Sequence, residues 1–152
     1  MAEVIIKKEG QPVKQFSVLL QNRVGSLGQL LQLVRNSGEE VIGLSMQDAK
    51  DATIVRVIVT DPEVVGQLFL EKGIPHTSCN MVVVALREAC TDLEKCLEIL
   101  KAGETNVDFA YSLLSHPEGF SLMALHLDDR FFGAEILSKA GIKVMYQQDL
   151  SR

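Results

Sequence analysis

Tryptophan is absent from this 152-residue sequence, which has only two tyrosines and six phenylalanines. RNA-binding sheets stack bases on aromatic side chains, and nucleic acids attract basic surfaces, whereas this chain carries a net charge of -5. The longest unbroken apolar run is residues 81–86, far short of the roughly 20 residues that cross a bilayer. We therefore expect neither nucleic acid nor a membrane as a partner.

Cysteine is also scarce. Cys79, Cys90 and Cys96 form no CxxC pair and, being three, cannot all pair within one chain. This usage fits a reducing compartment, and residues 1–9 lack the apolar core of a secretory signal. We therefore expect a cytoplasmic protein with reduced thiols. Cys90 and Cys96 are expected to serve as small hydrophobic residues around a helix start.

Patterns that would indicate catalysis are few. His76, His116 and His126 show neither the HxxxH nor the HxH spacing of a zinc site. The best cluster is His126 with Asp128 and Asp129, but a strand histidine followed by an aspartate that caps the next helix explains it without chemistry. We expect a protein that is not an enzyme, with no catalytic residue, metal or cofactor.

An internal repeat is present, and its first copy begins near residue 16. Apolar residues alternate over residues 16–20, which predicts a half-buried strand. After a turn at residues 22–25, Ser26 and Gln29 predict a capping box. A helix is then predicted up to Gly38, with apolar residues at helical spacing: Leu27, Leu30, Leu31 and Val34.

The first copy continues with two adjacent strands, residues 41–46 and 53–60, and the second of these is rich in β-branched residues. Asp61-Pro62 predicts the start of a second helix, because proline is favoured at the first helical position. Lys72-Gly73 predicts its end. A strand near residues 74–78 completes the copy.

The second copy begins with a predicted strand at residues 81–86. Leu27 and Leu93 stand 66 positions apart, as do Val41 and Val107, so the spacing of the elements is preserved. Thr91 and Glu94 predict a second capping box. The remaining predicted elements are strands at 107–113 and 120–127, a helix at 131–140 that follows Asp128, and a strand at 142–146.

Each copy therefore predicts a βαββαβ module, the ferredoxin-like arrangement of α+β proteins, with both helices on one face of an antiparallel sheet. We expect two such modules in tandem, at residues 12–80 and 81–150. In residues 120–127 both alternating sets are mostly apolar. The helix-free face is therefore expected to be covered by the partner module or by a second chain, and we expect a homodimer.

The first copy resembles the ACT domain family of regulatory amino-acid-binding modules. That family shows an apolar strand, Asp or Asn, Arg, Pro or Val, Gly, any residue, Leu, an amphipathic helix, Gly, and a strand beginning with Val or Ile. The matching positions are residues 16–20, Asn22, Arg23, Val24, Gly25, Leu27, the helix up to Ser37, Gly38, Val41 and Ile42. The motif covers residues 14–46, and the second copy matches by pattern only. The resemblance implies a stand-alone tandem ACT protein.

The resemblance further implies an amino acid bound at an interface between modules, by the loop after the first strand and by the second strand of a neighbour. The implied ligand-binding residues are Asn22, Arg23, Val24, Gly25, Ser26, Leu27, Ile42, Gly43 and Leu44. A turn that leads into a helix N-terminus offers free amides and partial positive charge to a carboxylate. From spacing alone, the same residues also fit an ordinary turn. Gly28 is expected to be a close-packing position, with room for ligand as the alternative.

The second copy departs from this pattern. At the positions of residues 22–26 it has Glu88, Ala89, Cys90, Thr91 and Asp92, so the turn glycine is missing and a negative charge is added. We expect this module to be structural or to complete the pocket of the first. The functional hypothesis is a non-catalytic sensor of a free amino acid. The alternative is a regulatory subunit that docks on an amino-acid biosynthetic enzyme.

Overall fold

The computed structural model describes residues 10–151. Its strands are β1 Val13–Gln21, β2 Val41–Ala49, β3 Ala52–Val59, β4 His76–Leu86, β5 Val107–Ser112, β6 Ser121–Leu127 and β7 Lys143–Met145. Its helices are α1 Ser26–Asn36, α2 Pro62–Glu71, α3 Ala89–Ala102, α4 Arg130–Lys139 and the short α5 Gln147–Leu150. The sequence predicted every strand and the four longer helices, but not α5.

The start of α2 is as predicted, with Pro62 in the first turn and the Asp61 carboxylate accepting hydrogen bonds from the backbone N–H groups of Glu63 and Val64 at 3.1 and 3.4 Å. The α4 cap is Asp129, whose carboxylate accepts from Phe132 N at 3.0 Å. The repeat places Asp128 at the position of Asp61 and so predicted it as the cap of α4. This is wrong by one residue, because the cap is Asp129.

Both predicted capping boxes are wrong. Helix α1 is preceded by Gly25, so Ser26 is its first residue and makes no capping bond. Helix α3 starts at Ala89, before Thr91, because the Asp92 carboxylate accepts hydrogen bonds from the amides of Arg87 and Glu88 at 2.9 Å each and holds the earlier turn in place. The longer helix buries Cys96 but leaves Cys90 exposed, contrary to the expectation for Cys90.

All strand pairs are antiparallel, and the sheet order is β2-β3-β1-β4-β6-β5, with β7 also paired to β4. Strand β4 belongs to both modules, because its first half pairs with β1 and its second half pairs with β6 and β7. Each module therefore has the ferredoxin-like order, β2-β3-β1-β4 and β5-β6-β4-β7, which confirms the predicted fold class. The two strands predicted at 74–78 and 81–86 correspond to one continuous strand, residues 76–86, and the expected boundary at residues 80 and 81 falls inside it.

The sheet curls until its two outer strands meet. Gly43 of β2 forms an isolated antiparallel bridge with Leu113, and Leu114 N donates to Ile42 O at 2.8 Å. We call this contact the β2–β5 seam. A Cβ atom added to Gly43 would lie 3.2 Å from the Ile58 Cβ and 3.3 Å from the Leu113 Cγ, so glycine permits the close approach at the seam.

Curling produces three apolar cores. In each module the helices cover one face of the sheet, and the helix-free faces of the two modules meet in a third core. The buried residues of this inter-module core are Val13, Ile42, Ile58, Met81, Val83, Ala85, Leu113, Leu122, Ala124 and Met145. The strands are apolar on both faces because the partner module covers the helix-free face. A second chain is not needed to cover that face.

Polar groups also cross between the modules. Gln15 of β1 is fully buried, and its side-chain oxygen accepts a hydrogen bond of 2.7 Å from the Tyr111 hydroxyl of β5. Burial raises the pKa of Tyr111 above its ordinary value, because the phenolate would lose its hydration. Beside this pair, the Arg56 guanidinium lies 4.1 Å from the centre of the Phe109 ring. These contacts add directional interactions to the apolar inter-module core.

We predict that Tyr111→Phe destabilises the fold by about 1–3 kcal/mol, because it leaves the buried Gln15 oxygen without its donor. Urea unfolding of the variant and the parent protein would measure the loss. In a double-mutant cycle, adding Gln15→Met to Tyr111→Phe should recover part of it, since both polar partners are then removed. A Tyr111→Phe variant as stable as the parent would show that this hydrogen bond contributes nothing.

Candidate functional site

The loop between β1 and α1 reverses the chain within four residues. Arg23 N donates to Gln21 O at 2.9 Å and Ser26 N donates to Arg23 O at 3.3 Å. Gly25 has φ +88°, in the left-handed region that residues with a Cβ rarely adopt. The reversal returns the start of α1 to the end of β1 and leaves no side chain at the tightest point of the loop.

The N-terminus of α1 has no side-chain cap. Among residues 10–151, no side chain accepts a hydrogen bond from its first turn, and that turn contains no acidic residue. In α2 and α4, by contrast, Asp61 and Asp129 fill this role. The first turn of α1 therefore keeps amide donors and the partial positive charge of the helix dipole, a combination that attracts anions.

A cavity of about 140 Å³ lies at this helix end. Its lining residues are Leu20, Gln21, Asn22, Arg23, Gly25, Ser26, Leu27, Gly28, Met46 and Thr53. The loop and the helix start supply polar groups, and the sheet beneath supplies Leu20 and Met46. The cavity can therefore contact both a charged group and an apolar group of a ligand.

The structure divides the predicted ligand-binding residues into two groups. Asn22, Arg23, Gly25, Ser26 and Leu27 line this loop cavity. Of the others, Val24 is fully exposed at the loop tip. The strand residues Ile42, Gly43 and Leu44 lie away from the cavity, the first two in the β2–β5 seam and the third against the core of the first module.

Several lining residues were missed by sequence reasoning. Leu20, Met46 and Thr53 belong to strands, and only the pairing of β1, β2 and β3 brings them beneath the loop. Gly28 was expected to pack closely, and this is wrong, since nothing lies within 4 Å of a Cβ built there. The sequence carried one signal for this role, the glycine itself. Glycine is unfavourable in a helix relative to alanine, so an exposed helix position has little other reason to lack a side chain.

In the matching loop of the second module, a carboxylate of the same loop already accepts the hydrogen bonds of the backbone amides. Asp92 accepts hydrogen bonds from two backbone amides of this loop, those of Arg87 and Glu88, each at 2.9 Å. Asp92 also lies in the first turn of α3, where its negative charge offsets the helix dipole. This loop is therefore less suited than the first to hold a carboxylate.

The histidine cluster also has a structural explanation. His126 Nδ1 lies 2.8 Å from the Asp108 carboxylate, and its ring stacks on Phe109 with the ring centres 4.7 Å apart. Asp128 accepts from Asn106 N at 3.0 Å. In the described part of the chain, no group of three histidine, cysteine or acidic residues is placed to hold a metal ion.

No helix within residues 10–151 is long and apolar enough to span a membrane.

Two βαββαβ modules that share a strand, with a glycine-closed loop before α1, define a tandem ferredoxin-like protein. The family described as the ACT domain pair matches residues 11–152, so the chain belongs to that family. A search of curated proteins gave no match.

Solved structures share the fold at low sequence identity. Protein BT0572 from Bacteroides thetaiotaomicron superposes with a TM-score of 0.85 at 19% identity, over 94% of this chain and 98% of that one. An aspartokinase of alpha and beta subunits gives 0.58 at 16% identity, over 84% and 91% of the two chains. The regulatory subunit of aspartate kinase from Thermus thermophilus gives 0.56 at 10% identity, over 87% and 94%.

Replacing two glycines of the loop cavity by alanine should change the stability of the fold in opposite directions. Gly28→Ala should stabilise the fold by about 0.4–1 kcal/mol, because the position is helical and open. Gly25→Ala should destabilise it by about 1–2 kcal/mol, because the left-handed conformation crowds a Cβ. Chemical denaturation of both variants measures the two signs. Destabilisation by Gly28→Ala would instead indicate close packing at that position.

Proposed function

We propose that this protein is a non-catalytic regulatory module that senses a free amino acid through the loop after β1. The observation that carries the proposal is the uncapped, acid-free start of α1 beside Gly25, which faces the loop cavity. A carboxylate placed there would accept hydrogen bonds from first-turn amides and meet the positive end of the helix dipole. Membership of the ACT domain pair family supports the same assignment.

The other residues of the cavity take complementary roles in this proposal. The side-chain oxygen of Asn22 accepts from the ligand ammonium group. Gly25 and Gly28 leave space for the ligand backbone, because neither carries a Cβ. Leu20, Leu27 and Met46 contact the ligand side chain. Arg23 is exposed and adds long-range attraction for the carboxylate.

Regulation requires that the ligand bind two states of the protein, or of a complex, with different free energies. Strand β2 provides a physical connection, because Met46 lines the loop cavity and Gly43, on the same strand, forms the β2–β5 seam. We propose that a ligand under the loop shifts the balance between seam geometries. Within one chain, Ile42 and Gly43 then act through the seam and Leu44 through the core of the first module, without touching the ligand.

The alternative function is a regulatory subunit that docks on an amino-acid biosynthetic enzyme. A specific observation favours protein docking: Phe131 at the start of α4 is 71% exposed, and its neighbour Phe132 is 42% exposed. Large exposed aromatic side chains are enriched at protein interfaces. Because the modules cover each other's helix-free faces, neither function depends on the expected homodimer, which stays a prediction.

The sensor proposal predicts that one amino acid in a panel raises the melting temperature of the purified protein. Ligand at a hundred times its dissociation constant stabilises by about 2.7 kcal/mol, or roughly 5–10 °C for a chain of this size. Gly25→Asp should abolish the rise, because its carboxylate competes at the α1 start. Thr91→Asp, at the matching position of the second module, is the control and should preserve it.

Two outcomes would overturn the proposal. One is the absence of any shift across the panel at millimolar concentrations. The other is that Gly25→Asp leaves every observed shift unchanged, since no amino acid would then bind at the loop. If there is no shift and the chain co-purifies with a biosynthetic enzyme, and Phe131→Ala weakens that association, the subunit alternative replaces the sensor.

A further inference from the structure

A second cavity lies over the middle of β4, between the helix layers of the two modules. Its volume is about 820 Å³, within the roughly 300–1,000 Å³ range of small-molecule sites. Its lining residues are Gln11, Pro12, Lys14, Asp61, Pro62, Glu63, Ser78, Cys79, Asn80, Gln147, Gln148 and Ser151. None of them belongs to the loop after β1.

The shared strand explains why the cavity exists. Along the helix-facing side of β4, His76 packs against Phe16 and Phe69 with ring centres 5.6 and 5.3 Å apart, so α2 covers this end. At the other end, Val82 and Val84 are buried in the core of the second module. The residues between these ends are Ser78 and Asn80, which neither helix layer covers.

Strand β1, which pairs with β4, also changes from apolar to polar side chains at this point. On the helix-facing side of β1, Phe16 and Val18 are buried, whereas Lys14 is polar and only half-buried. Lys14 pairs with Asn80 across the strands, so their side chains are neighbours on one face. A helix-covered face would normally be apolar here. The polar residues therefore coincide with the uncovered part of the sheet.

The far wall is held rigidly in place. Gln147 of α5 is 7% exposed, and its side-chain nitrogen donates to Val59 O at 3.1 Å and Thr60 O at 3.4 Å. Its side-chain oxygen accepts from Lys14 N at 3.2 Å, and its backbone N–H donates to Gln11 O at 2.9 Å. These bonds join α5 to β1 and β3 and fix the position of this wall.

The walls carry charges of both signs. The ion pairs of residues 10–151 are His126–Asp108 and Lys139–Glu135, so no described carboxylate pairs with Lys14. Asp61 uses Oδ1 to cap α2, and within residues 10–151 no donor is bonded to its Oδ2. Glu63, also at the cavity, is exposed. A ligand that carries both a carboxylate and an ammonium group fits this arrangement.

We propose that this central cavity binds a free amino acid with a polar, uncharged side chain. Lys14 contacts the ligand carboxylate, and Asp61 and Glu63 contact its ammonium group. The side chain meets amide and hydroxyl groups that both donate and accept, those of Asn80, Gln148 and Ser78. The proposal is independent of the loop after β1 and assigns a second site to the same chain.

The test is calorimetric titration of the full chain with L-glutamine. We expect saturable binding that weakens at least tenfold in Lys14→Gln and several-fold in Asp61→Asn, whose amide oxygen still caps α2. Lys95→Gln, an exposed lysine of α3, is the matched control and should leave binding unchanged. L-leucine and glutaric acid monoamide, which lack the polar side chain and the ammonium group respectively, should bind at least tenfold more weakly than L-glutamine.

Asn80→Ala, at an exposed position, provides a second variant if Lys14→Gln fails to fold, and it should also weaken binding. Undetectable glutamine binding at millimolar concentrations would overturn the proposal. So would binding that Lys14→Gln or Asn80→Ala leaves unchanged. Loss of binding in Gly25→Asp alone would place glutamine in the loop cavity, which supports the sensor proposal and removes the second site.

Discussion

The hydrogen bonds of strand β4 hold the two modules together, because this one strand is part of both of their sheets. It pairs with β1 along its first half and with β6 and β7 along its second half, and from Met81 to Leu86 every residue is buried. Alternate side chains of this stretch fill two different cores, one under the helices and one between the modules. One buried strand therefore fixes how the two modules are oriented, because neither can move without breaking its hydrogen bonds.

The candidate sites follow from two places where this packing leaves polar groups uncovered. At the start of α1, the glycine-closed loop leaves helix amides without a side-chain cap. Over the middle of β4, the helix layers of the two modules stop short of each other, and Lys14 and Asn80 line the gap. Among residues 10–151, no side chain caps the first turn of α1 and no carboxylate forms an ion pair with Lys14. Both places therefore suit small charged ligands, whereas the apolar cores are closed.

Much of the fold could be predicted from the sequence, because it is encoded by local patterns. Alternating, β-branched and apolar runs predicted the strands, Asp61-Pro62 predicted the start of α2, and Gly38 predicted the end of α1, as the structure confirms. The starts of α1 and α3 were less predictable. Ser26 and Thr91 have capping-box spacing, but Gly25 and Asp92 decide the local hydrogen bonds. A side chain that competes for the same amides can override a motif.

For the loop cavity, the loop residues from Asn22 to Leu27 could be predicted from the sequence alone, because a turn and a helix start are contiguous in the chain. Strand pairing places Met46 and Thr53 beneath them, puts Ile42 and Gly43 in a seam, and joins residues 76–86 in one strand, and none of this could be predicted from the local sequence. The tertiary structure also decided the central cavity, whose walls include Lys14, Asp61, Asn80 and Gln147. These residues are distant in sequence and meet only through strand pairing and packing, which no local period encodes.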